Sequence, residues 1–265
     1  MTFRKKLVTL GTIGIVGLSL AACSSGGGTT TSDTTSDTPG STSTQDDQVS
    51  TAPLTFNTDN LLAGTASPSF LSGDPGDVSV VAQGTLETTD SGSILPIAFQ
   101  NNTDAAISSI DWSAQASSGS EVATGMSEGS DPAQLQPGEV GLAYITFDAT
   151  TATPAPDATY TFSAETSPAD TSSMNNGSLT VTDPTIANGA MTGTAVNNTG
   201  ASFSSPISVT VYCFSAAPDY LLQTAHTGYA DQSGDIAADA STTFTVDLAG
   251  DTCDSYLVGA SGIFS

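Results

Sequence analysis

Apolar and polar residues alternate in a series of short segments that begin after residue 53. Segments such as "VSVVAQGTL" (78–86) and "GLAYITF" (141–147) have a period of two, which is the period of a half-buried β-strand. Gly, Asn, Asp and Pro, which favour turns, recur between the segments. Predicted strands cover residues 78–86, 93–99, 107–115, 141–147, 159–165, 178–183, 189–196, 207–214, 242–248 and 255–261. This pattern predicts an all-β fold of the sandwich type.

The alternating region contains an internal repeat. Asn-Asn-Thr follows a predicted strand at 101–103 and again at 197–199. A polar turn followed by a strand also occurs twice, near Gly138 and near Asp239. Each copy is about 95 to 115 residues long, which is enough for one sandwich core. We therefore predict two tandem Ig-like β-sandwich domains, over residues 53–168 and 172–265.

The N-terminus has the layout of a secretory signal peptide. The basic head "MTFRKK" is followed by "LVTLGTIGIVGLSLAA", an apolar core too short to span a bilayer comfortably. The residues Leu20-Ala21-Ala22-Cys23 resemble the lipobox of bacterial lipoproteins. That resemblance implies cleavage after residue 22 and a diacylglycerol on the Cys23 sulfur, which would anchor the protein on the extracytoplasmic face of the cell membrane. An ordinary signal peptide, or an uncleaved anchor, is the alternative.

Residues 23–52 are predicted to be a disordered tether behind the lipidated Cys23. The stretch is rich in Ser, Thr, Gly and Asp, and Val49 is its one large aliphatic residue. Such a composition cannot bury enough apolar surface to offset the entropy of ordering.

Charge limits the partners of the mature chain. All three basic residues, Arg4, Lys5 and Lys6, precede Cys23, so the mature chain has no Lys or Arg against 27 Asp and Glu. Phosphate contacts need cationic side chains, so nucleic acid is excluded as a partner, as is electrostatic docking on anionic lipid. Adaptation to salt or divalent cations would explain the acidity, and so would the preference of turns for Asp.

The second copy of the repeat resembles a known family. A strand, "NNTG", a strand that ends in "VYCF", a polar turn and "TTFTV" follow one another in residues 176–261, and a weaker version occupies 76–150. This order is similar to small bacterial FxLYD-type domains, Ig-like sandwiches found on secreted proteins and lipoproteins, although the literal Phe-x-Leu-Tyr-Asp motif is absent. The resemblance implies a sandwich fold and transfers no catalytic residue.

Cys213 and Cys253 are predicted to form a disulfide. Both fall in the second domain, and cysteines of an exported protein usually pair in an oxidising compartment. Two buried free thiols are the alternative. A zinc site is less favoured, because two thiolates supply only half of its ligands.

Catalytic residues are hard to find in this sequence. His226 is the single histidine, its surroundings "QTAHTGYAD" suggest a loop, and no Gly-x-Ser-x-Gly motif accompanies it. The five glutamates lie mostly in polar stretches that suggest turns, although two of them could form a glycosidase pair. They are Glu87, Glu121, Glu128, Glu139 and Glu165. We predict no catalytic site and no cofactor.

Two weaker binding signals remain. Asp231 and Asp235 form one acidic loop, and Asp247, Asp251 and Asp254 form another, with the oxygen ligands that calcium prefers. Neither loop has EF-hand spacing, so no metal ligand is assigned and weak calcium binding stays an alternative. The only tryptophan, Trp112, could stack on a sugar, but its position on an alternating strand favours a place in the core.

The sequence thus predicts an envelope lipoprotein that binds or scaffolds rather than catalyses, with an unidentified protein or glycan partner. A hydrolase with an unrecognised carboxylate site and a purely structural envelope protein are the alternatives.

Overall fold

The computed structural model describes residues 54–89, 92–127, 129–150 and 152–265, which all belong to one compact unit. The predicted signal peptide (1–22), Cys23 and the tether (23–52) lie outside these residues. All regular structure in the described part is β-strand. No helix in that part is long and apolar enough to cross a membrane.

Sixteen strands, numbered along the chain, make up the described part. They are β1 (Thr55–Phe56), β2 (Ala63–Gly64), β3 (Val78–Gln83), β4 (Glu87–Thr89), β5 (Gly92–Asn101), β6 (Ile107–Ser118), β7 (Glu121–Ser127), β8 (Gln134–Leu135), β9 (Glu139–Asp148), β10 (Thr159–Pro168), β11 (Asn176–Ala187), β12 (Ala190–Val196), β13 (Phe203–Phe214), β14 (Leu222–Tyr229), β15 (Ser241–Asp247) and β16 (Ser255–Phe264).

The strands form two curled sheets, so the predicted all-β fold with two β-sandwich domains is confirmed. In the first sheet the order is β10-β6-β7-β9-β5-β3, all antiparallel, with β1, β4 and β8 added to β9, β5 and β6. In the second sheet the order is β14-β13-β16-β11-β12-β15, with β2 added to β16. We call these units the first and second sandwich.

The repeated sequence is a repeated structure. Asn101 and Asn197, both fully buried, each donate from Nδ2 to the carbonyl oxygen four residues ahead, at 2.8 and 2.7 Å. Each also accepts the hydroxyl hydrogen of the following Thr103 or Thr199 at 2.7 Å. Their carbonyl oxygens accept the backbone N–H of the two polar turns, Gly138 and Asp239. These side chains therefore close equivalent turns in both sandwiches.

The six main strands of each sheet can be followed around the sandwich as a ring with one break. The break falls at a different place in each sandwich. β5 corresponds to β12, because each strand leads to one of the equivalent asparagines. With the other strands matched in chain order, both sheets have the same order of strands around the ring. The second sheet pairs β11 with β16 and separates β14 from β15, which an Ala230–Phe244 bridge partly rejoins. In the first sheet the separation falls between β3 and β10, the counterparts of β11 and β16. The first sandwich is therefore open where the second is hydrogen-bonded.

Each sandwich encloses its own core, because inward-facing residues of the curled sheet meet across it. Leu95, Phe99 and Trp112 lie in the first core, and Val211, Phe244 and Val258 lie in the second. All six are at most 2% exposed. Each buried side chain of this size contributes about 1.5 to 3 kcal/mol to folding.

A third apolar cluster joins the two sandwiches, and we call it the junction. Leu142 and Tyr144 enter it from β9 of the first sandwich, and Tyr212 and Leu257 enter it from β13 and β16 of the second. Leu62, from the segment between β1 and β2, also packs there and is 3% exposed. Because β1 pairs with β9 and β2 pairs with β16, this segment is hydrogen-bonded to both sandwiches.

Cys213 and Cys253 are at disulfide distance, with Cα atoms 4.9 Å apart. Cys213 lies in the second core, and Cys253 packs against that core from the loop after β15. The predicted pair is thus brought together.

Candidate functional site

The gap between β3 and β10 forms a cleft of about 710 Å³ along the first sandwich. Both strands are edge strands, paired on one side only, with β5 and β6 respectively. Backbone groups along the cleft side of each strand therefore lack a partner strand. A cleft of this size is within the usual range of small-ligand sites.

The walls of the cleft carry aromatic and apolar side chains that are only half-buried. Tyr160 and Phe162 point inward from β10, and Val78 and Val80 contribute from β3. The rings of Tyr160 and Phe162 stack, with centroids 6.1 Å apart and planes 15° apart. Partial burial raises the pKa of Tyr160 further above neutral pH, and its neutral hydroxyl can donate a hydrogen bond. The stacked pair therefore offers an apolar surface with a polar edge.

Trp112 lies beneath these side chains at the base of the cleft. It is 2% exposed and makes edge contacts with Phe99 at 5.2 Å and with Phe162 at 6.4 Å between ring centroids. The prediction that Trp112 belongs to the core is confirmed. Because Trp112 also touches the cleft wall through Phe162, its fluorescence is placed to report on events in the cleft.

Carboxylates stand at one end of the cleft, on the loop before β3. Asp74 and Asp77 are exposed, and the backbone of this loop is bonded to Asn102, which holds Gly76 N–H and Asp77 C=O at 3.0 Å. Asp74 N–H donates to Ser79 Oγ, also at 3.0 Å. The loop is therefore fixed, and it presents two hydrogen-bond acceptors to anything that enters the cleft.

A buried carboxylate, Asp131, lies at the junction. Its backbone N–H and C=O both bond to Leu142 at 2.8 Å, so the first sandwich holds it. Its side chain crosses to the second sandwich, where Tyr212 donates its hydroxyl hydrogen to Asp131 Oδ2 at 3.1 Å. Oδ1 has no hydrogen-bond partner. Burial raises the pKa of Asp131 to about 6, although the hydroxyl groups of Tyr212 and Thr210 favour the ionised form and oppose the increase.

His226 does not lie in a loop, as its sequence surroundings suggested. It lies on β14, is 8% exposed, and sits opposite Val211 in the β13–β14 ladder. Its Nε2 is 3.2 Å from Asp251 Oδ2, but without hydrogen-bond geometry. The described residues show no hydrogen bond from a serine, threonine or cysteine to this histidine. His226 and Asp251 therefore place an imidazole beside a carboxylate on the second sandwich.

Four of the five glutamates fall within the described residues, and these four lie on four different strands rather than in turns. Glu87, Glu121, Glu139 and Glu165 belong to β4, β7, β9 and β10. Glu128 lies outside the described residues. Glu87 accepts a hydrogen bond from Thr224 across the two sandwiches, and Glu139 accepts one from Thr58. These contacts fasten neighbouring segments to each other, and none of them pairs two glutamates.

The two acidic loops engage their own backbone and neighbours. Asp231 accepts the Thr243 hydroxyl hydrogen at 2.6 Å, and Asp247 accepts the Ala249 N–H at 2.9 Å. Asp235 accepts the Ser205 N–H at 3.4 Å. Within the described ranges, no three His, Cys, Asp or Glu side chains are grouped closely enough to hold a metal ion.

Sequence reasoning did not identify the cleft or Asp131. The chain matches no known protein-family model, and it matches none of the curated proteins.

Proposed function

We propose that this protein is a lipid-anchored envelope protein that binds an uncharged glycan in the cleft between β3 and β10. Cys23, in its lipobox-like setting, is the anchor, and residues 23–52 act as the tether that lets the sandwiches reach a glycan layer. The observation that supports binding is the opening of the first sandwich at the position where the second sandwich is hydrogen-bonded.

The lining of the cleft supports a sugar ligand. The stacked Tyr160 and Phe162 rings offer an apolar surface for the C–H face of a sugar ring. Asp74 and Asp77 can accept hydrogen bonds from sugar hydroxyls, and the Tyr160 hydroxyl can donate one. Ligand sites commonly combine an apolar wall with a few placed polar groups in this way.

Charge argues for an uncharged sugar. The chain carries 27 Asp and Glu, and its three Lys and Arg residues all precede Cys23. An anionic polymer would be repelled and would find no cationic side chain to pair with. A cationic extended peptide, pairing with the free edges of β3 and β10, is the competing ligand.

Fluorescence titration tests the proposal, because Trp112 is the only tryptophan. The mature protein in detergent would be titrated with neutral hexasaccharides of glucose and of N-acetylglucosamine, and with a cationic strand-forming peptide. We expect a saturable change of Trp112 emission with a hexasaccharide. Phe162→Ala should weaken binding at least about tenfold, which corresponds to about 1.4 kcal/mol.

Tyr229→Ala is the matched control, since Tyr229 is 62% exposed on the second sandwich. It should leave the dissociation constant unchanged, and thermal melting should show that all variants are folded. A saturable response to the peptide, with none to either hexasaccharide, would show that the ligand of the cleft is a peptide and not a glycan. No saturable response to any probe would remove the binding function and favour a purely structural protein.

A further inference from the structure

We propose that the junction between the two sandwiches is a proton-operated clamp, in which neutral Asp131 holds the sandwiches together and ionised Asp131 loosens them. The clamp operates whether or not a glycan occupies the cleft. It sets how rigidly the protein holds its two sandwiches together.

The geometry places one carboxyl group across the boundary. The Asp131 backbone is fixed to β9 by two hydrogen bonds to Leu142, while its side chain bonds Tyr212 of β13. Asp131 is 3% exposed and Tyr212 is 1% exposed, so water does not solvate the pair. Gly259 of β16 closes the remaining side, since a Cβ built there would lie 2.5 Å from Asp131 Oδ1.

No lysine or arginine is available to neutralise this carboxylate, because all three precede residue 7. Thr210 and Tyr212 face it from β13, and Gly259 faces it from β16. Tyr144 of β9 interacts electrostatically with Tyr212. None of these groups is cationic, and the chain has no Lys or Arg after residue 6. A buried carboxylate without a counterion is strongly unfavourable in free energy. Protonation of Asp131 removes the charge and therefore removes this cost.

The sign of the effect follows from the two states of the junction. In the closed junction the pKa of Asp131 is about 6, and in an opened, hydrated junction it returns towards 3.8. Closure is therefore most favoured below pH 3.8, weakens as the pH rises from there, and is weakest above pH 6. The two pKa values differ by about two, which corresponds to an opening equilibrium on the order of a hundredfold higher at neutral pH than in acid.

Hydrogen–deuterium exchange of the mature protein in detergent measures this opening. Exchange of the Thr85 N–H, which donates to the Gln223 C=O of β14 at 2.9 Å and so links the two sandwiches, would be followed from pH 4 to pH 8, corrected for intrinsic exchange, with β12 as an internal reference. We expect protection at the junction to fall about tenfold per pH unit between pH 4 and pH 6 and then to level off. The reference strand should follow only global unfolding.

Two variants and a control make the test decisive. Asp131→Asn cannot ionise and should give a flat profile. Tyr212→Phe removes a hydrogen bond that favours ionised Asp131, so the pKa of Asp131 in the closed junction should rise further. Protection at the junction should then keep falling to a higher pH than in the natural protein. Asp111→Asn, at an exposed position on β6, should behave like the natural protein. A flat profile in the natural protein, or an unchanged pH dependence in Asp131→Asn, would overturn the clamp.

Discussion

Gly259→Ala is expected to destabilise the protein by forcing the junction apart. The new Cβ would lie 2.5 Å from Asp131 Cγ and Oδ1 and 2.6 Å from Asp131 Cβ, whereas ordinary contacts begin near 3.4 Å. About 1 Å of movement is therefore needed. Asp131 cannot supply it freely, because its backbone is bonded twice to Leu142.

The size of the loss can be built from its parts. Overpacking of this kind costs about 1 to 3 kcal/mol, and a lost Tyr212–Asp131 hydrogen bond costs about 1 kcal/mol more. Replacing a strand glycine with alanine returns about 0.5 to 1 kcal/mol through the unfolded state. The net loss should be about 1 to 3 kcal/mol.

Urea denaturation measures this loss. With a denaturant slope of about 2 kcal/mol per molar, a 2 kcal/mol loss lowers the midpoint by about 1 M. Gly234→Ala is the matched control, because no atom lies within 4 Å of its added Cβ. That variant should stay within about 0.5 kcal/mol of the natural protein. Equal midpoints for the two variants would refute the tight contact between β16 and Asp131.

Three further outcomes are expected. Replacing Cys213 and Cys253 with alanine should lower the free energy of unfolding by about 4 kcal/mol in the chain-entropy model. Reductant should then have no further effect on melting of the variant. Equal melting temperatures for the variant and the natural protein would contradict a bonded pair. Cys23→Ala should leave the protein unprocessed or release it to the medium, whereas unchanged partitioning into the detergent phase would count against lipidation. Heat-denatured mature protein should resist trypsin, because no Lys or Arg follows residue 6, and any specific cleavage would disprove removal of the basic head.

The strands that the sequence predicted are those with strong alternation. Segments such as 107–115 and 207–214 became parts of β6 and β13. β7 ("EVATGMS") and β14 ("LQTAHTGY") were missed because small, polar and glycine residues weaken their apolar signal. The prediction that His226 lies in a loop was wrong because β14 was missed. His226 is buried by the pairing of β14 with β13.

The candidate sites depend on distant pairings that no local pattern shows. Asp131 lies in "SDPAQ", which favours a turn, and its burial is imposed by Tyr212, 81 residues away. The cleft depends on which strand edges meet, and the equivalent edges are closed in the second sandwich. By contrast, the side chains of Asn101 and Asn197 each donate to a carbonyl oxygen only four residues ahead, and this local turn was visible in the sequence as a repeat.

The segment that carries β1 and β2 determines how a pull from the N-terminal side enters the folded protein. Tension at Leu54 reaches the two-residue pairing of β1 with β9 first, and then that of β2 with β16. Releasing residues 54–66 yields about 40 Å of extension, at roughly 3.3 Å per residue, before load reaches the loop ahead of β3, where Gly73 N–H donates to Gln100 Oε1. The same release withdraws Leu62 from the junction. Mechanical load would therefore be absorbed at the boundary between the sandwiches before it disturbs either core.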